Sequence, residues 1–100
     1  MVTQSLFVKL HAKPGQEDAL AAFLQEGLKL ARQETTTPVW FALKLDKSTF
    51  AIFDAFADEH GRQAHLNGPI AKALAAQAPQ LLSEPPAIER IEVVGAKLPA

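Results

Sequence analysis

The sequence predicts an α+β, ferredoxin-like domain of the split βαβ kind, with one antiparallel sheet and helices on a single side of it. Three observations predict this. Hydrophobic periodicities follow one another as strand, helix, strand, strand, helix, strand. All of residues 1-100 fit that one unit, with no internal repeat, low-complexity run or linker, so a single domain is expected. The third strand, Thr49–Phe56, is apolar on both of its faces apart from Asp54, so the sheet needs a covering layer on each side. Helices of the same chain can supply one layer. A second copy of the chain is expected to supply the other, making a homodimer in which two sheets face each other as an α+β barrel.

The elements follow in order. Residues 5–12 form the first strand, with Leu6, Val8 and Leu10 on one side and Phe7, Lys9 and His11 on the other. Pro14-Gly15 breaks it. Leu20, Phe23, Leu24, Leu28 and Ala31 recur at helical spacing and predict a helix over 16–33, with Glu17 and Asp18 suited to its positive end. Thr35-Thr36-Thr37-Pro38 stops it. Residues 39–45 are the second strand, and Asp46-Lys47-Ser48 turns the chain into the third, 49–57. A hairpin closing around Lys47 sets Lys44 opposite Phe50, Ala42 opposite Ile52 and Trp40 opposite Asp54. Asp58 can cap a second helix, which Gly68-Pro69 interrupts and Pro69 restarts, running to about Ala78. Pro79 and Pro85-Pro86 bracket an irregular stretch before the last strand, 87–94. The tail from Gly95 to Ala100 is expected to hold a neighbouring subunit.

Phe50, Ile52, Asp54 and Phe56 share one side of the third strand, and Ala51, Phe53 and Ala55 the other. The purely apolar side is expected under the helices, which places Phe53 in the core. The mixed side, with Phe7, Lys9, His11, Trp40, Lys44, Arg90 and Glu92, is expected to face the second copy and line an apolar chamber between the sheets.

Composition narrows the function. A net charge of −1 with no Lys/Arg run points away from nucleic acid. No apolar stretch nears the roughly 20 residues of a membrane span, and no basic segment precedes an apolar core, so a cytoplasmic protein without a membrane partner is expected. Zero cysteines remove disulfides, thiolate nucleophiles and cysteine metal sites, and zero tyrosines remove any phenol. His60 and His65 are five apart and lack an acidic partner at metal spacing, so no metal site is expected. Neither a nucleophile elbow, a phosphate loop nor a dinucleotide fingerprint is present.

The run Ala64-His65-Leu66-Asn67-Gly68-Pro69-Ile70-Ala71-Lys72-Ala73, after an aromatic-rich strand, resembles the antibiotic biosynthesis monooxygenase (ABM) domain family. That family includes quinol monooxygenases and belongs to the dimeric α+β barrel superfamily. The early run Lys13-Pro14-Gly15-Gln16-Glu17 is similar to the family's turn into its first helix. Departures are visible too. Phe56 stands where relatives often carry tryptophan, Ile52 where some carry asparagine, and Trp40-Phe41 where many carry Gly-Cys. Ala75 stands where haem-degrading relatives place an axial histidine. The resemblance implies an oxygenase needing no cofactor, acting on an electron-rich aromatic molecule such as a quinol or polyphenol.

Asp54 is the candidate general base, since a carboxylate beside Trp40 and Phe56 is desolvated and its proton affinity raised. The competing role is an ion pair across the barrel with Lys9, Lys44 or Arg90. His65, the family's histidine, is the second catalytic candidate as a proton relay; capping a helix end is its bland alternative. Trp40, Phe50 and Phe56, with Ile52, Phe7 and the rim residue His11, are candidates for binding a flat aromatic ring. Two other functions fit the same barrel: a non-catalytic dimeric module holding a hydrophobic metabolite, and a cofactor-free isomerase or lyase.

Overall fold

The structure, a computed structural model, describes residues 1–99; the end of the tail expected to grip a neighbour, Ala100, lies outside the described residues. The elements are β1 (Gln4–His11), α1 (Glu17–Ala31), β2 (Val39–Lys44), β3 (Thr49–Phe56), α2 (Glu59–Leu66), α3 (Pro69–Leu81) and β4 (Ala87–Glu92). The four strands make one sheet in the order β2-β3-β1-β4, every neighbouring pair antiparallel. The α+β, ferredoxin-like arrangement is the one the sequence predicts.

Local chemistry accounts for the boundaries. Gly15, at φ +85°, takes the left-handed conformation that lets the chain reverse between β1 and α1. The Asp58 side chain accepts the Gly61 N–H at 2.9 Å, fixing the start of α2. Gly68 and Pro69 open α3, where the missing proline N–H leaves nothing unpaired. Pro79 does not end α3, contrary to expectation. It lies in the last turn, where the Leu82 N–H still reaches the Ala78 carbonyl at 2.9 Å and Lys13 Nζ donates to the Pro79 carbonyl at 2.6 Å. Its only demand is the loss of one late hydrogen bond.

The hairpin register is the expected one: Trp40 pairs with Asp54, Ala42 with Ile52 and Lys44 with Phe50. The choice of face is corrected. β1 sets Leu6 against Asp54, Val8 against Ile52 and Leu10 against Phe50, so Asp54 shares a face with these aliphatic residues. That face lies under the helices, in one core with Leu20 and Leu24 of α1 and Leu74 of α3. Phe53, with Phe7, Lys9 and His11, falls on the opposite face and not in the helix-covered core. Bulk decides the matter. Helices pack on the face with the larger side chains, and each large residue buried there contributes about 1.5–3 kcal/mol. The small Ala51 and Ala55 leave the other face too shallow to seat them.

The uncovered face carries Phe41 at 54% exposure, Leu43 at 39% and Ile91 at 40%. Val2, Val39, Ala55, Phe53 and Val93 make a smaller apolar cluster beside them. α2 is tied down by Arg62, whose Nη1 donates to the carbonyls of Ser5 (3.1 Å) and Ile91 (3.3 Å) while Nε and Nη2 grip Glu59. One turn further on, the same helix carries His65. No helix among the described residues is long and apolar enough to cross a membrane.

Candidate functional site

Three side chains from three segments meet beneath α2. β3 supplies Asp54, the last turn of α2 supplies His65, and the connection between α1 and β2 supplies Glu34. His65 stands between two carboxylates. Its Nδ1 lies 2.7 Å from Glu34 Oε1 and its Nε2 lies 3.0 Å from Asp54 Oδ2. Thr37 donates its hydroxyl to the same Glu34 oxygen at 2.7 Å. The ring of Phe56 packs against the imidazole, centroids 5.4 Å apart and tilted by 42°. Asp54 is 1% exposed and His65 6%.

The two contacts of His65 differ in quality. The bond to Glu34 is well aligned, whereas the approach to Asp54 is close enough for an ion pair but misdirected for a hydrogen bond. Both Asp54 oxygens, and Glu34 Oε2, are therefore buried without a well-aligned donor. Burial pushes the Asp54 carboxyl up from its ordinary value; the His65 contact opposes this only in part, and the Glu34 charge adds to it. Burial is also the largest single influence on His65, pulling it down. The close contact with Asp54, then the hydrogen bond to Glu34, and the charges of both together outweigh that and hold the imidazolium above its ordinary range. Both groups of the pair therefore hold a proton more tightly than their ordinary values would have it.

Beside them lies a cavity of about 240 Å³ between the sheet and α2–α3. Leu6, Val8 and Ile52 form its floor, Ile70 and Leu74 its helical wall, and Pro86 and Ile88 the side toward β4. Asp54 and His65 are the only polar residues on this lining. This cavity lies on the helix-covered side of the sheet, opposite the face that carries Phe7 and His11.

Of the residues singled out from the sequence, Asp54, His65 and Ile52 come together around the cavity, with Phe56 behind the imidazole. Trp40 and Phe50 share that side of the sheet but sit under α1. There the Trp40 indole lies over Gly27, where an added Cβ would come within 3.4 Å of the ring, and the Phe50 ring centroid lies 5.7 Å from Lys44 Nζ. Phe7 and His11 are on the other face and do not reach the cavity; His11 instead faces Glu84 at 3.3 Å. None of Lys9, Lys44 and Arg90 approaches Asp54, whose ionic partner is His65. Glu34 and Thr37 carry no sequence signal: they sit in a polar loop beside two other threonines. The cavity-lining Leu66 and Ala71 belong to the run already picked out by its motif, and Ala75 follows two residues after that run. No group of three or more His, Cys, Asp or Glu suited to a metal ion occurs among the described residues.

No protein-family model matches the chain, and no curated protein does. Solved structures do. A Nitrosomonas europaea protein of unknown function, NE2512, is 63% identical over 100% of this chain and 97% of its own, with a TM-score of 0.98. A Chloroflexus aurantiacus protein described as a candidate antibiotic biosynthesis monooxygenase is 26% identical over 95% of this chain and 96% of its own, with a TM-score of 0.70. A second Nitrosomonas europaea protein carries the same description. It is 13% identical over 92% of this chain and 90% of its own, with a TM-score of 0.82, a likeness of fold.

Proposed function

The chain belongs to one family with NE2512, a family with the antibiotic-biosynthesis-monooxygenase-like fold, and from that premise we propose a cofactor-independent monooxygenase of small phenols or quinols. The observation that carries the proposal is Asp54 Oδ1. It is a buried carboxylate oxygen without a donor, on a residue that borders a cavity otherwise lined almost entirely by hydrocarbon. Such an oxygen is completed by a ligand that is flat, apolar and carries one acidic hydroxyl. Size fits a small aromatic: an apolar cavity of about 150 Å³ holds benzene, and this one of about 240 Å³ has room for a substituted ring or two fused rings.

The substrate hydroxyl gives its proton to Asp54, backed by His65. The phenolate passes one electron to dioxygen, the oxidant, and the resulting radical pair combines at a ring carbon. Loss of the proton on that carbon and cleavage of the O–O bond leave one oxygen as a ring carbonyl. The other departs as water, which takes up the proton held by Asp54. A phenol and dioxygen thus become a quinone and water. The protein contributes a dry cavity, a base, and an imidazolium close to the developing negative charge.

A second copy of the chain is the proposed partner, covering Phe41, Leu43 and Ile91 on the exposed sheet face. Oxygen uptake by purified protein with monocyclic quinols and catechols, beside naphthols and anthrones, tests the reaction. Turnover above the solution rate that falls in Asp54→Asn supports it. A phenol that raises the thermal midpoint without oxygen uptake would make the protein a binding module, and product formed equally well without oxygen an isomerase or lyase.

A further inference from the structure

Deepening that reading, and resting on it for its catalytic consequence, we infer that Glu34 is the positioning residue of the Asp54–His65 pair: it fixes the Nδ1–H of His65 so that Nε2 is the atom exchanging protons with Asp54. Glu34 comes from outside both elements that carry the pair, and two contacts hold one of its oxygens. Thr37, three residues on, holds its Oε1 at 2.7 Å, and the same oxygen meets Nδ1 at 2.7 Å. The carboxylate is 13% exposed and Oε2 is buried beside the position of Gly68, where an added Cβ would come within 3.5 Å.

A neutral imidazole carries one proton, and a carboxylate faces each nitrogen. Only the Glu34 contact has hydrogen-bond geometry and the 3.0 Å contact with Asp54 lacks it, so on this inference the proton lost on titration is the one on Nε2. The bare Nε2 then faces Asp54 and can accept the proton that Asp54 takes from a substrate hydroxyl. This is the logic of a base oriented by a third group. Among the described residues, the charged groups acting on the imidazole are Asp54 from β3 and Glu34 from the α1–β2 connection. Arg62, on the same helix, is occupied with Glu59 and two backbone carbonyls.

The test is a ¹⁵N–¹H NMR titration of the His65 ring in the ligand-free protein. Above its midpoint the neutral ring is expected to keep the proton on Nδ1. A neutral ring protonated on Nε2 would overturn the inference, and this measurement needs no variant. In Glu34→Gln, with the fold confirmed by the dispersion of the amide spectrum, the His65 midpoint should fall by about one pH unit or more. For any phenol turned over, kcat should fall by about tenfold or more with KM unchanged. An unchanged His65 midpoint would also overturn the inference. If no phenol is oxidised, the oxygenase reading fails while the tautomer and the midpoint still decide the role of Glu34.

Discussion

Asp54→Asn should make the protein more stable and less active. Asparagine keeps the shape of the side chain and an acceptor oxygen, and removes the charge. In the native protein that charge is buried at 1% exposure with no well-directed donor on either oxygen. An unsatisfied buried polar group costs about 1–3 kcal/mol, and more when charged. The substitution forfeits the contact with His65 Nε2, which would be worth about 1.5–3 kcal/mol as a well-made charge-assisted bond and less at this alignment. The balance is a gain of about 1 kcal/mol, or roughly 4–8 °C in thermal midpoint for a chain of this length. The gain depends on pH with a definite sign. Because the Asp54 carboxyl is raised above 3.8 in the folded protein, its unfavourable burial is absent below 3.8 and complete once pH has risen through the folded value. The variant's advantage should therefore vanish near pH 3.5 and be full at pH 8. Urea unfolding at the two pH values measures it. Oxygen uptake should fall by about 10²–10⁴-fold, the contribution of a general base. A variant that loses 1 kcal/mol or more at pH 8 would refute the reasoning, making Asp54 a structural ion-pair partner.

The imidazolium of His65 is held above 6.5, so the stability it contributes is present below 6.5 and lost as pH rises through its folded value. The wild-type melting temperature should accordingly fall between pH 6 and pH 9 by calorimetry, and His65→Gln should flatten that dependence. Gly61→Ala should destabilise by about 1 kcal/mol despite alanine's better helix propensity, because its Cβ would lie 3.0 Å from the Thr36 carbonyl and 3.4 Å from Phe56 Cβ; chemical denaturation reads this. Sedimentation should give a dimer for the wild type and a single subunit for Phe41→Glu, which sets a charge in the middle of the exposed apolar face.

Element order, turn chemistry and the β2–β3 register were all legible in the sequence, because each rests on local signals: alternation, Asp58 at a cap, Pro69 at a helix start. Which face of the sheet the helices cover was not. Ala51, Phe53 and Ala55 look like a core stripe by hydropathy, but the usable signal was volume. Leu6, Val8 and Leu10 must be buried, and the strand that pairs with them carries Asp54 to the same side. That correction places Asp54 beside a cavity beneath α2. Asp54 and His65 were singled out separately, and only the packing of α2 over β3 brings them to 3.0 Å. Glu34 could not be read at all. It is one polar residue in a polar connection, joined to His65 by a contact spanning 31 residues of sequence.

The central position of β3 has a consequence for the chain before it folds. Its octet Thr49–Phe56 is proline-free, rich in residues that favour extended structure, and bears one charge. Emerging from the ribosome, this segment is a template for self-assembly until β1 and β2 flank it, and the Asp54 carboxylate is its lone gatekeeper. Neutralising that side chain should then lower soluble yield on expression at 37 °C even as the folded state gains stability. The residue that burdens the finished molecule would be the one that lets it be made.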